Sequence, residues 1–373
     1  MTKVPLLLAS MIVGLSPAVT AAAAVTTLTQ LTTIGGGPTL VTYWQYSARD
    51  CADEAACRYT GTINTGASGA YKTAVPVVAG FELSVPRRDA IGPIAVRLSG
   101  QRGANKPGDV DLQVSAQLRS GSNQLFSYTV TIAVIESFPP EGWRLTASGA
   151  ACSKGLCPVP INFAAPDGVV PHDYWLVGIA LQMFDSDRNA GPLWAAYAVP
   201  TDIQRDVATG NLTSMLNCGT ATARSLAQAD VTGACETKWV AIAARVNTDT
   251  QLPLLASLPG IYPGLLTFLT IAGPSPSTGL IQHTCPSSRP IRGYLDALAG
   301  FALLTGLNGN PFQPLPGMVS TLSTSASDFK FSPTGLIQTR YGMALTSPQQ
   351  LIPMLPPLPV PLTAARWSVL ACF

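Results

Sequence analysis

The stretch FSYTVTIAV, residues 126–134, alternates large apolar side chains with small or polar ones. A period of two puts one set of side chains on a core and the other toward water, as in antiparallel sheets. The same alternation recurs in residues 94–99 and 112–118, with Gly, Pro and Asn turn signals between the segments. Residues 174–184 are apolar at nearly every position, which is typical of a central strand covered on both faces. The pattern predicts a mainly β protein with one or two antiparallel β-sandwich domains.

The first 24 residues have the three parts of a secretory signal peptide. Lys3 gives the basic start, residues 4–15 are uncharged and mostly apolar, and a run of small residues follows at 18–24. We therefore expect cleavage at residues 21–24 and export to the periplasm, the cell surface or the extracellular space. These compartments are oxidising.

The composition narrows the function classes. Hydrophobic residues make up 47% of the chain and charged residues only 11%, where about 25% charged is ordinary. This composition excludes a disordered protein, and the net charge of +2 without a basic stripe excludes nucleic-acid binding. A chain with so few charges is expected to contact a membrane, a glycan layer or another copy of itself. Self-assembly is therefore one expectation.

The chain divides into three segments after the signal peptide. Residues 25–138 are predicted to form a β-sandwich-like domain, and residues 143–249 a second β-rich domain or a continuation of the first. Residues 250–373 form a Pro/Gly-rich, charge-poor C-terminal region. The boundaries follow a Pro-Pro-Glu-Gly turn signal and an abrupt loss of charged residues.

Within the C-terminal region, residues 291–307 have helical spacing and are predicted to form a helix. Residues 252–271 are apolar enough for a membrane span, but repeated Pro and Gly would break a lone helix there. Buried or oligomer-facing loop structure is the favoured interpretation of that segment.

Eight cysteines in an exported chain indicate disulfides. Eight cysteines allow 105 pairings, and proximity in the sequence favours neighbour pairs. The predicted pairs are Cys51–Cys57, Cys152–Cys157, Cys218–Cys235 and Cys285–Cys372. A zinc site is disfavoured because CxxC spacing is absent and only two histidines could assist.

Asp185, Asp187 and Asn189 stand at alternate positions, like the first half of a calcium-binding loop. Ala190 occupies the position of the tight-turn glycine, and Ala196 that of the closing bidentate glutamate. An Asp/Asn-rich hairpin turn is therefore favoured over a bound Ca²⁺. Calcium is the one cofactor that the sequence suggests.

The sequence shows no nucleophile-elbow motif, G-x-S-x-G. His172 and Asp173 are adjacent and would point to opposite faces of a strand, so they cannot act as base and orienting acid. Paired carboxylates such as Asp109 and Asp111 leave a hydrolase open, because catalytic partners can be remote in sequence.

These features predict an exported cell-envelope or surface protein with a binding or structural role, adhesin-like or a component of an appendage. Its expected partners are envelope or surface proteins or a glycan, with membrane association as a further expectation. One alternative is a secreted, carbohydrate-active hydrolase that uses remote carboxylates. Another is an outer-membrane or membrane-associated protein, because Trp367, Val369 and Ala371 alternate toward a terminal Phe373.

Overall fold

A computed structural model describes residues 24–36, 39–85, 92–118, 125–137, 144–152, 156–161, 174–186, 193–205, 212–222, 235–245, 265–274, 277–284, 293–305, 321–331, 336–346 and 361–372. Every regular element in these ranges is a β-strand, and none of the described residues is helical. The predicted mainly β class is therefore confirmed.

The strands follow one another along the whole described chain. The first ten are β1 Val25–Gly36, β2 Thr39–Cys51, β3 Tyr59–Asn64, β4 Thr73–Ser84, β5 Ile94–Arg102, β6 Asp109–Leu118, β7 Phe126–Ser137, β8 Arg144–Cys152, β9 Leu156–Ile161 and β10 Tyr174–Ser186. The next nine are β11 Leu193–Arg205, β12 Leu212–Thr222, β13 Cys235–Arg245, β14 Leu265–Pro274, β15 Ser277–Thr284, β16 Tyr294–Thr305, β17 Thr321–Phe331, β18 Leu336–Thr346 and β19 Pro361–Cys372.

The strands form three sheets, and neighbouring strands in each run antiparallel. Sheet A has seven strands in the order β1-β2-β7-β4-β17-β18-β15. Sheet B has six in the order β3-β6-β5-β10-β13-β8, and sheet C has six in the order β14-β19-β16-β11-β12-β9.

The alternating stretch at residues 126–134 lies in β7, near the middle of sheet A. Its first residues alternate between buried and half-buried as the sequence predicts, whereas every residue from Val130 to Ser137 is buried. The alternation disappears there because both faces of the sheet are covered, so small and polar side chains are buried together with large ones.

The three sheets meet around Phe301 of β16. Its ring packs edge-on against Phe81 of sheet A and Phe184 of sheet B, with 5.1 Å between the ring centroids in each pair. Trp239 of sheet B donates a hydrogen bond of 3.0 Å to the carbonyl of Ala299 in sheet C. One buried hydrophobic cluster therefore includes side chains from all three sheets.

The predicted helix at residues 291–307 is wrong, because Tyr294–Thr305 of this segment form strand β16. Residues from Tyr294 to Phe301 are all buried, and β16 pairs with β19 on one side and β11 on the other. A short run that is apolar all round fits a strand buried on both faces as well as a buried helix, so periodicity alone misidentified it.

Strands from distant parts of the sequence share sheets. β4 and β17 pair from Thr321↔Ser84 to Thr324↔Phe81, which joins the predicted first domain to the C-terminal region. β10 likewise pairs with β5 through three residues. The predicted boundaries at residues 139–142 and 246–250 lie outside the described residues, as does the signal peptide except for its last residue.

Residues 265–271 of the apolar segment considered above as a membrane span belong to β14, and the rest of that segment lies outside the described residues. No helix in the described part of the chain is long and apolar enough to cross a membrane.

Strand β4 pairs with β7 along its whole length and gains a second neighbour, β17, only at its C-terminal end. Phe81–Ser84 pair with β17, and a Cβ added at Gly80 would meet the β17 backbone at Thr324 and Ala326. At the other end, the Pro76 carbonyl accepts a hydrogen bond of 2.9 Å from Gln182 of sheet B. Because proline cannot donate to a ladder, Pro76 suits the part of β4 that pairs with β7 alone among the described strands.

Candidate functional site

Two of the predicted disulfides are present in the structure. Cys51–Cys57 closes a short loop after β2, and Cys218–Cys235 joins β12 of sheet C to β13 of sheet B. The second bond is a covalent link between two sheets, which ties the middle of β12 to the first residue of β13, two strands that share no backbone ladder.

The remaining cysteines are placed only in part. The backbone of Cys152 ends β8 directly opposite Cys235, and Cys157 lies in β9 opposite Leu216. Cys372 ends β19 opposite Tyr294, whereas Cys285 lies outside the described residues. The pairings Cys152–Cys157 and Cys285–Cys372 stay predictions.

Two tyrosines hold the Cys51–Cys57 loop against sheet A. The hydroxyls of Tyr46 and Tyr128 both donate to the carbonyl oxygen of Cys57, Tyr46 at 2.7 Å. Burial raises the pKa of both phenols, so they remain protonated donors. The loop is thereby fixed by one disulfide and two buried hydrogen bonds.

The same loop contributes to an ion-pair group that we call the Arg97 cluster, formed by Glu54, Arg97, Ser115 and Asp185. The Arg97 guanidinium of β5 binds Glu54 Oε2 at 2.6 Å and also binds Asp185 of β10. Ser115 of β6 donates to Glu54 Oε1 at 2.7 Å. The cluster therefore joins the disulfide loop to three strands of sheet B.

Glu54 is held as a carboxylate in this cluster. Burial acts to raise its pKa, but hydrogen bonds from Ser115 and Arg97 and the positive charge of Arg97 together outweigh burial. The pKa of Glu54 therefore lies below its ordinary value. A carboxylate with a lowered pKa is a poor general acid, so this geometry favours a structural role for Glu54.

Asp185 is the only residue of the predicted calcium site that the structure describes, since Asp187 and Asn189 lie outside the described residues. Its carboxylate is bound by Arg97, a cation that the sequence pattern did not suggest. In the part of the chain that the structure describes, no group of three or more His, Cys, Asp or Glu residues could hold a metal ion. The calcium interpretation stays a prediction.

The carboxylate pair Asp109 and Asp111 lies on β6 facing the edge strand β3. Asn64 donates to Asp109 at 2.8 Å, and Thr62 donates to Asp111 at 2.7 Å. Each carboxylate thus has its own polar partner on the neighbouring strand, an arrangement that stabilises the β3–β6 pairing.

Glu136 of β7 is fully buried and ion-paired with Arg102 of β5. Burial raises its pKa, opposed by the Thr65 hydroxyl and by Arg102. Arg102 also donates to the carbonyl of Tyr71 at 2.7 Å. These contacts join sheets A and B at the end of β7.

A second buried ion pair lies between sheets A and C. Arg366 of β19 and Asp296 of β16 are both fully buried, and their charged groups are 3.8 Å apart. Arg366 also donates to Thr324 Oγ1 at 3.1 Å and to the carbonyl of Ala79. The guanidinium thereby contacts both β17 and β4 of sheet A.

The outer edge of β1 is the candidate binding surface. Among the described strands, β1 has β2 as its single neighbour, and residues 25–31 are exposed at every position except the half-buried Leu28. Val25 is 56% exposed and Leu31 is 41% exposed. The other large apolar side chain that the structure shows as exposed is Leu280, on β15 at the opposite edge of sheet A.

Charged side chains are scarce on the edge strands. The edges of the three sheets are β1, β3, β8, β9, β14 and β15, and Arg144 of β8 is the one Asp, Glu, Lys or Arg residue within them. Natural proteins usually protect sheet edges with charges or proline. β9 has Pro158 and Pro160 at alternate positions, whereas β1 contains neither proline nor charge.

No known family model matches the chain, and no curated protein is similar to it in sequence.

Sequence reasoning did not identify Glu54, Arg97, Glu136 or the β1 edge as features of interest. The ion pairs join residues 34 to 88 positions apart, and no local pattern reports such contacts. The β1 edge could have been suspected from the sequence, because VTTLTQLTTIGG contains five threonines and no charged residue over twelve positions.

Proposed function

We propose that this chain is an exported, disulfide-bonded protein of the cell envelope or cell surface, with an adhesin-like or appendage role. It binds through the edges of its sheets, to which a strand of another polypeptide is added. We further propose that sheets A and B face each other as a β-sandwich, with Glu136 and Arg102 between them.

The observation that carries this proposal is the absence of charged side chains from β1 and β3 in a chain with only 11% charged residues. Among the described edge strands, β8 lies near β9 and β14 lies near β15, whereas β1 and β3 each make their main contacts with a single strand. An open strand edge offers unpaired N–H and C=O groups, and addition of a strand is a common mode of recognition. An edge that functions in binding must remain free of the charges that would otherwise block association.

Two further features support the same role. The disulfides Cys51–Cys57 and Cys218–Cys235 suit an oxidising compartment. The carboxylates of Asp109, Asp111 and Asp185 are engaged by polar or cationic neighbours, which suits a scaffold better than a catalytic pair.

Fractionation of the native host tests this proposal. The chain should be recovered in the envelope or appendage fraction, and protease added to intact cells should remove it. A variant lacking residues 4–15 is the control, since it should remain inside the cell and resist the protease.

Recovery of the wild-type chain in the cytosol would refute export. Recovery as a free monomer in periplasm or medium would refute the envelope role and favour the secreted hydrolase. Release of reducing sugar from polysaccharides would then be the next measurement.

A further inference from the structure

We propose that β1 pairs with β1 of a second copy of this chain, antiparallel and centred on Leu28. This inference rests on the proposed binding role of the sheet edges and names the partner for one of them. The resulting dimer has two-fold symmetry, and sheet A of one copy continues into sheet A of the other.

The geometry of β1 provides the surface. From Val25 to Gln30 the ladder of β1 with β2 is regular, and the register shifts at Leu31. In the regular part, the backbone N–H and C=O groups that point away from β2 are spaced as those of a strand that can accept a neighbour. Both faces of this half are open, because all but Leu28 of residues 25–31 are exposed. Nothing described on the outer side would obstruct a second strand.

The sequence of β1 is complementary to itself in this register. Pairing centred on Leu28 places Val25 opposite Leu31 of the second copy, which covers the two exposed apolar side chains of the strand. Thr27 then faces Thr29, and Thr26 faces Gln30. Thr–Thr and apolar cross-strand pairs are favourable, and no like charges meet.

A second copy fits this surface better than a charged partner does. The strand offers no charge to attract an acidic or basic peptide, and its polar groups are hydroxyls and one amide that can each donate and accept. Isologous contact of the same patch is also the commonest arrangement in soluble oligomers. The seven residues from Val25 to Leu31 span about 23 Å, which is a short interface, so we expect dissociation in the micromolar range.

Sedimentation velocity of the full, oxidised chain tests the proposal with two variants that differ only in the sign of the charge at position 29. Thr27→Lys/Thr29→Lys places lysine opposite lysine in the proposed register and should weaken dimerisation at least tenfold. Thr27→Lys/Thr29→Glu places lysine opposite glutamate and should retain the dimer. Both variants add the same number of charged side chains at the same exposed positions.

Ser99→Lys/Gln101→Lys is the matched control, because both positions are exposed on a central strand of sheet B. It should dimerise as the wild type does, and thermal unfolding should confirm that all variants fold. A monomeric wild type at 100 micromolar, or a Lys/Lys variant that dimerises normally, would overturn the inference. A wild-type monomer that is still found on the cell surface would overturn self-pairing alone and leave the proposed function standing.

Discussion

The guanidinium of Arg97 binds the carboxylate of Asp185 at the junction of β5 and β10. Asp185 lies opposite Ala95 in the ladder, so Arg97 reaches it diagonally across the two strands. The β5–β10 pairing covers only three residue pairs. The ion pair therefore reinforces a short ladder that joins the two halves of sheet B.

We expect Arg97→Gln and Asp185→Asn to be coupled by about 1 kcal/mol in a double-mutant cycle of unfolding free energy. The side chains are only 23% and 19% exposed, so water screens them less than surface groups. Asp328→Asn and Arg340→Gln form the matched control, because that pair is 58% and 60% exposed and should show coupling near zero. Equal coupling in both cycles would contradict the structural role of the Arg97 cluster.

Calcium should leave the thermal unfolding temperature unchanged at about 1 mM, a concentration at which weak extracellular sites are occupied. The reason is that Arg97 already neutralises the Asp185 carboxylate. The measurement is a melting curve with Ca²⁺ and with chelator. A rise in unfolding temperature with Ca²⁺ that Asp185→Asn abolishes would establish the metal site instead.

Glu54→Gln should lower stability by about 1–2 kcal/mol at pH 7, because it removes charge-assisted hydrogen bonds. The pKa of Glu54 is lowered in the folded protein, so the unfolded state binds more protons and stability from this group rises with pH. Its contribution is complete above the ordinary value of 4.5 and is lost as the pH falls through the lowered folded pKa.

Urea unfolding of wild type and variant between pH 7 and pH 3 measures this difference. The difference in unfolding free energy between the wild type and Glu54→Gln should narrow as the pH falls below 4.5, the ordinary pKa of Glu. The control is Glu236→Gln, an exposed position on β13, where stability should change little at any pH. A gap that stays constant down to pH 3 would show that the Glu54 charge contributes nothing.

Gly80→Ala should destabilise the protein by about 3 kcal/mol, because overpacking against backbone cannot relax by rotation of a side chain. An added Cβ would lie 2.5 Å from the Thr324 carbonyl oxygen and 2.8 Å from the Ala326 nitrogen. Gly36→Ala is the control, since a Cβ there meets nothing within 4 Å. Chemical denaturation that gave equal losses for both variants would contradict the close approach of β4 and β17.

The sequence was informative where one face of a strand meets water. Alternation identified β5, β6 and the beginning of β7. The apolar run at residues 174–184 correctly predicted β10, a strand with a neighbour on each side. Alternation is absent where both faces are covered, and the similar apolar run at residues 291–307 was mistaken for a helix although it contains β16. Burial on both faces depends on sheets that come from other parts of the chain, which a local period does not record.

The disulfides, the ion pairs and the β1 edge show the same limit: the sequence predicts contacts between nearby residues but not those that depend on sheet topology. Neighbour pairing identified Cys51–Cys57 and Cys218–Cys235, because short loops bring these cysteines together. Arg97 meets Glu54 and Asp185 across 43 and 88 residues, so their contact follows from sheet topology. Whether β1 is an edge also depends on topology, although its lack of charge was visible in the sequence.

Arg366→Met should destabilise the protein by about 3–5 kcal/mol, because it removes the cation that faces the buried carboxylate of Asp296. The cost should be smaller in Arg366→Met/Asp296→Asn than the sum of the two single changes, since no buried charge then lacks a counter-charge. The double variant should still be less stable than the wild type, because the hydrogen bonds from Arg366 to Thr324 and Ala79 are lost in both the single and the double variant. The measurement is the free energy of urea unfolding for the wild type, the two single variants and the double variant. Additive losses would mean that Arg366 stabilises the sheet A–sheet C contact through its hydrogen bonds and not through Asp296.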